Sequence, residues 1–163
     1  MTALYITSIL VFVLYTVIIL KTFGVLPSIS DSYYALRKHN ILSLFTFFCW
    51  GTAFPLMIYW IELLPNDLDF LPFIACGGLL FVGASPAFRD LELERKVHSI
   101  SAIICAIAAY TWTFLYGSTF LGINFILLSI VLYFILKRNK IYWLELIAFT
   151  NIYTQLLIIS LWK

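Results

Sequence analysis

Apolar residues gather in six runs, over 2–20, 41–61, 69–86, 97–116, 118–136 and 141–161, and the polar residues fall largely between them. Crossing a hydrocarbon core of about 30 Å takes roughly 20 apolar residues as helix, because lipid offers no partner to an unbonded backbone group. The pattern therefore predicts an all-α fold, a single polytopic transmembrane domain over 1–163 with six helices in one bundle. The third run is the shortest. The turn between the fourth and fifth, "YGST", is tight, and Gly117 is expected to end a helix there at positive φ.

The basic residues set an orientation. Lys21, Arg37 and Lys38 follow the first run, Arg89, Arg95 and Lys96 the third, and Lys137, Arg138 and Lys140 the fifth. These are nine of the ten Lys and Arg residues; Lys163 is the tenth. Loops rich in Lys and Arg stay on the cytoplasmic side. Segments 21–40, 87–96 and 137–140 are thus expected to be cytoplasmic and both termini outside, with Glu62, Asp67 and Asp69. Trp60, Tyr116 and Trp162 fall at outer ends and Tyr142 and Trp143 at an inner one, where amphipathic rings settle.

Composition agrees. The chain is 63% hydrophobic and 11% charged, against about a quarter charged for a soluble domain. A net charge of +2, with no basic run interleaved with aromatics, excludes a nucleic-acid partner. Membrane lipids are the expected partners, with a homo-oligomer allowed. Cys49, Cys76 and Cys105 all lie inside apolar runs, so they read as small packing residues. The first run has no basic region before it and no small-residue cleavage site, is too long for a signal-peptide core, and reads as a retained span.

Small residues recur at helical spacing in the fourth run (Ser101, Cys105, Ala109), and Gly77, Gly78 and Gly83 mark the third. Both predict close helix contact. Pro55 interrupts the second run and leaves a carbonyl for a neighbour to satisfy.

Candidate chemistry collects on the inner side. In "FGVLPSISDSYYALRKHN", Ser30 or Asp31 can cap a short helix reaching Lys38, with Asn40 capping the next span. "FRDLELERKVHSISA" holds six charged residues among the eight from Arg89 to Lys96. With Ser85 and Pro86 as a helix start, Asp90, Glu94 and His98 share one helix face at four-residue spacing. Such a row can bind a divalent metal or position a water, with Glu94 fixing the His98 tautomer. It is equally an ordinary charged helix surface. A metal site would draw on His98, His39 and Glu94; a catalytic one on His98, Glu94, Asp90, Asp31 and Ser30. No cofactor is otherwise indicated. Deeper polar groups are few: Glu145 one turn into the last run, and the amides Asn124, Asn151 and Gln155, which serve as interhelical glue or line a pore.

"LPSISDSYY" after the first run and "FVGASPAFRDLELERKVHSISA" entering the fourth resemble an uncharacterised family of bacterial six-helix integral membrane proteins. More remotely, the chain is similar to the damage-regulated autophagy modulator (DRAM)-like superfamily, through Pro27, Ile29, Ser30 and Asp31. His98 belongs to the bacterial pattern. The resemblance implies a six-helix fold in a bacterial inner membrane and no catalytic mechanism. In the superfamily the motif lies on the outer or lumenal side, whereas the basic loops place it inside here.

Two functions follow. The first is a lipid- or partner-binding, or solute-conducting, bundle. The alternative is an interfacial enzyme, lipid hydrolase-like and possible with a metal, on the cytoplasmic face. A pocket joining the 27–39 loop to 89–98 favours the enzyme; a polar path past Asn124, Asn151 and Gln155 favours a channel.

Overall fold

The computed structural model describes residues 2–63 and 69–162, so Asp67 and Lys163 lie outside the described residues. The regular structure among them is entirely helical: α1 (Thr2–Phe23), α2 (Ser32–Arg37), α3 (Ser43–Leu63), α4 (Phe70–Ala84), α5 (Glu92–Tyr116), α6 (Thr119–Ile135) and α7 (Lys140–Trp162). Four of these, α1, α3, α5 and α7, are long and apolar enough to cross a membrane. The other two long elements, α4 and α6, are apolar but run only 15 and 17 residues.

The core of the bundle is largely apolar, and so is most of its outer face. Ile6, Leu10, Val13 and Leu14 of α1 are exposed, while Tyr5, Ser8, Tyr15 and Thr16 are buried. For Tyr5 and Ser8 the reason is hydrogen bonding, because their hydroxyls find partners on neighbouring helices. Tyr5 donates to the Tyr153 carbonyl at 2.8 Å, and Ser8 donates to the Thr52 carbonyl at 2.8 Å while lying 2.7 Å from the Tyr153 hydroxyl. Thr52 is one residue beyond Gly51, whose carbonyl loses its helical donor to Pro55; α3 nevertheless continues through Pro55 to Leu63. Rings of Phe12, Tyr15, Phe48, Phe149 and Tyr153 fill the space between α1, α3 and α7.

Helix α4 packs between α3 and α5. Backbone approach explains its glycines. A Cβ on Gly78 would sit 2.7 Å from the Ser101 carbonyl and 2.9 Å from the Cys105 Cβ, so the small-residue stripe of α5 meets α4 at this point. Helix α6 leans mainly on α7, and only its Gly122 is buried.

Several local expectations are corrected. Ser85 does not start a helix. It ends α4, its hydroxyl donating to the Phe81 carbonyl at 2.6 Å, and α5 begins at Glu92 after extended Leu91. Asp90 therefore lies in the preceding turn, off the helical row with Glu94 and His98. Asp31 precedes α2 without a side-chain cap, because its carboxylate is drawn to Arg89. Asn40 caps nothing: it turns the chain at φ 56, and α3 starts at Ser43. Gly117 is extended, at φ −84, so the demand on it is steric. A Cβ there would sit 2.8 Å from the Thr113 carbonyl and 2.9 Å from Gln155 Oε1.

Candidate functional site

The loops 24–31, 85–91 and 136–139 meet at one end of the bundle. Asn139 donates to the Val25 carbonyl at 2.8 Å, the Tyr142 N–H donates to the Pro27 carbonyl at 3.1 Å, and the Ile29 N–H donates to Glu145 Oε2. These bonds fasten 25–29 across the start of α7. They also present Ser30 to α5.

Ser30 and His98, 68 residues apart, form the centre of the site. His98 Nδ1 lies 3.0 Å from the Ser85 carbonyl, and Nε2 lies 3.1 Å from Ser30 Oγ. A carbonyl only accepts, so Nδ1 carries the proton; in the neutral ring Nε2 is then an acceptor and the Ser30 hydroxyl donates to it. The imidazole stacks on Phe88 at 4.3 Å between centroids, with Phe45 at 6.4 Å. Ser30, Asp31, Ser85 and His98 are all buried.

The charged residues form a rim around this pair. Arg89 contacts buried Asp31, Arg37 donates to Asp90 at 2.7 Å, and Lys96 pairs with Glu92 at 2.8 Å along α5. Glu94 accepts from the Ala87 N–H at 2.7 Å, and the Tyr34 hydroxyl accepts from the Arg89 N–H at 2.6 Å. Burial is the main influence on the Tyr34 phenol and raises its pKa, while the bond from Arg89 works the other way.

Beneath the rim lies a cavity of about 150 Å³. Its walls come from α3, α4, α5 and α7, and they are nearly all apolar, with Cys49, Cys76 and Cys105 among them. Ser30 and Glu145 mark its polar end and Trp60 the other. Phe45 and Trp60, both in the wall, are separated on α3 by about 22 Å of helix. Ala102 and Ala106 of α5 line the cavity and are also exposed, so it opens sideways on the α5 flank, towards α7. A shallower depression of about 220 Å³ joins Pro27, Asp31, Tyr34 and Lys38 to Arg89.

The sequence-based candidates separate here. Ser30, Asp31 and His98 come together. Asp90 and Glu94 go to the rim, and Glu94 does not fix the His98 tautomer; the Ser85 carbonyl does. His39 is exposed and packs on Phe23, 5.6 Å between centroids. Among the described residues no three His, Cys, Asp or Glu side chains stand where they could hold a metal ion, so His39, His98 and Glu94 do not form a ligand set. Gln155 grips the α5–α6 turn: its Oε1 accepts from the Ser118 N–H at 2.7 Å and its Nε2 donates to the Ser118 carbonyl at 3.1 Å. Asn151 is buried beside it, 3.4 Å away. Asn124 is exposed and donates to the Phe120 carbonyl of its own helix at 2.8 Å, so the three amides define no continuous polar path.

Sequence reasoning missed the Ser85 carbonyl, the Asp31–Arg89 pair and the place of Glu145 in the cavity wall. Only Glu145 gave a signal, as a carboxylate inside an apolar run. The chain matches no protein-family model, no curated protein and no solved structure.

Proposed function

We propose that this chain is a six-span integral membrane protein that holds one hydrocarbon chain of a membrane lipid in the cavity entered beside α5. The observation that carries the reading is the cavity itself: its walls are nearly all apolar, Ser30 and Glu145 lie together at one end, and it opens on the α5 flank beside exposed Ile103 and Ile107. Apolar cavities of this size stay dry and take apolar guests. A slot whose lining residues are spread along α3 from Phe45 to Trp60 suits a single extended chain better than a compact ligand. The nine basic residues assign the polar end to the cytoplasmic leaflet and both termini to the outside. In this reading α4 and α6 complete their crossings with flanking residues or local thinning of the bilayer. The resemblance to six-helix bacterial proteins fits an inner-membrane location.

The test is lipid mass spectrometry on protein purified in mild detergent, wild type beside Ala106→Trp, which fills the opening. A lipid retained by wild type and lost from a folded variant is the expected result. Equal lipid content in both would sink the proposal.

The Ser30–His98 geometry favours a second reading, an esterase acting on a bound lipid. The Ser30 oxygen would add to an ester carbonyl as His98 Nε2 takes its proton. That proton would then pass to the departing alcohol, and water would release the acid from Ser30. The test is labelling by a fluorophosphonate. This reading requires labelling at Ser30 that disappears in His98→Ala; an unlabelled wild type excludes it.

A further inference from the structure

The polar end of the cavity has a definite hydrogen-bonding character. Ser85 fixes the proton of His98 on Nδ1, and this obliges the Ser30 hydroxyl to spend its proton on Nε2. What Ser30 has left for the cavity is lone pairs. Glu145, the other polar group there, takes one backbone donor, the Ile29 N–H, and has acceptor capacity that this bond leaves unused. No Lys, Arg or His lines the cavity, and none of the ion pairs among the described residues includes Glu145. Arg37, Arg89 and Lys96 have carboxylate partners of their own, and Lys140 sits over the Tyr133 ring at 4.3 Å.

From this juxtaposition we infer that the site selects a single-chain amphiphile with a protonated amine head, its ammonium between Glu145 and Ser30 and its alkyl chain in the slot. An ammonium brings three donors to the oxygens of Ser30 and Glu145, and a positive charge that holds the Glu145 carboxyl ionised. A carboxylate or phosphate head would meet Glu145 without a compensating cation, which is costly in a poorly solvated place. A hydroxyl head brings one donor and no charge. The inference rests on the lipid-chain reading above and adds the head chemistry to it.

The test uses the full chain in nanodiscs with three probes of equal length: n-dodecylamine, n-dodecanol and n-dodecanoate. Each competes for a photoreactive alkylamine whose crosslinks are mapped by peptide mass spectrometry. The expected result is crosslinking to cavity residues, with dodecylamine competing about tenfold or more better than the other two, as a charge-assisted hydrogen bond provides. In Glu145→Gln the amide oxygen still accepts from Ile29, so the fold is retained while the advantage of the amine closes. Ser30→Ala narrows it in part. Equal competition by all three heads, or an advantage that survives Glu145→Gln, overturns the inference and leaves the lipid-chain reading standing. Crosslinks confined to the outer helix faces overturn both.

Discussion

His98 Nε2 and Ser30 Oγ stand 3.1 Å apart, and through them the start of α5 holds the loop that follows α1. The bond is buried, and the Ser85 carbonyl fixes its direction from the far side of the ring. Ser30→Ala strands an acceptor on His98 and is expected to lower stability by about 1–2 kcal/mol. His98→Ala also removes a ring stacked on Phe88 and should cost more, about 3 kcal/mol. Denaturant unfolding in detergent of both single variants and the double variant checks this. The coupling expected is about 1 kcal/mol, and strict additivity would show that the two groups do not depend on each other.

Asp31 and Arg89 form the strongest charge contact on the rim, because Asp31 is enclosed: its side chain is 8% exposed, against 54% for Arg89. Removing the cation strands the carboxylate. Arg89→Ala is expected to cost about 1–2 kcal/mol, less than for a fully buried pair because one partner is wet. Lys96→Ala breaks a pair exposed on both sides and should stay within about 0.5 kcal/mol. Thermal unfolding separates the two, and Arg89→Ala should be milder in an Asp31→Asn background. Equal losses at Arg89 and Lys96 would refute the assignment.

Glycines 77 and 78 offer an internal control. A Cβ on Gly78 meets backbone at 2.7 Å, and one on Gly77 meets nothing within 4 Å. Gly78→Ala is thus expected to force α4 and α5 apart at a cost of about 1–3 kcal/mol. Gly77→Ala should be neutral or stabilising by up to about 1 kcal/mol through helix propensity. Melting temperatures in one detergent are sufficient, and a Gly78→Ala protein as stable as wild type would contradict the packing of α4 on α5.

The contrast between neighbouring glycines also marks what the sequence makes legible. Apolar run lengths locate the helices, since backbone bonding in lipid leaves few alternatives, and the spacing of Ser101, Cys105 and Ala109 shows where α5 is approached closely. The row Asp90, Glu94, His98 fails for a local reason: the chain between α4 and α5 turns through 86–91, so the helical period does not reach Asp90. The Ser30–His98 bond lies beyond any periodic argument, because it depends on how a loop is draped over the bundle by Tyr142 and Glu145. Gly117 stands at the helix end that its sequence predicts, but what requires glycine there is crowding by Gln155 and not a left-handed turn.

That same Gln155 separates glue from pore. Its side chain takes both the N–H and the carbonyl of Ser118, so Gln155→Leu leaves the Ser118 N–H without a partner beside buried Asn151, while the carbonyl keeps the Gly122 N–H at 2.9 Å. The expected loss is about 2 kcal/mol, with fraying of the α5–α6 turn. Asn124→Leu, on an exposed face bonded only within its own helix, should change stability by less than about 0.5 kcal/mol. Unfolding of the purified variants tests the first half of the argument, and solute flux from proteoliposomes tests the second. Amides that serve as glue change stability and leave flux at the level of empty vesicles. If instead both leucine variants alter a measurable flux while melting as wild type does, Asn124 and Gln155 face a shared path and the packing role given to Gln155 is wrong.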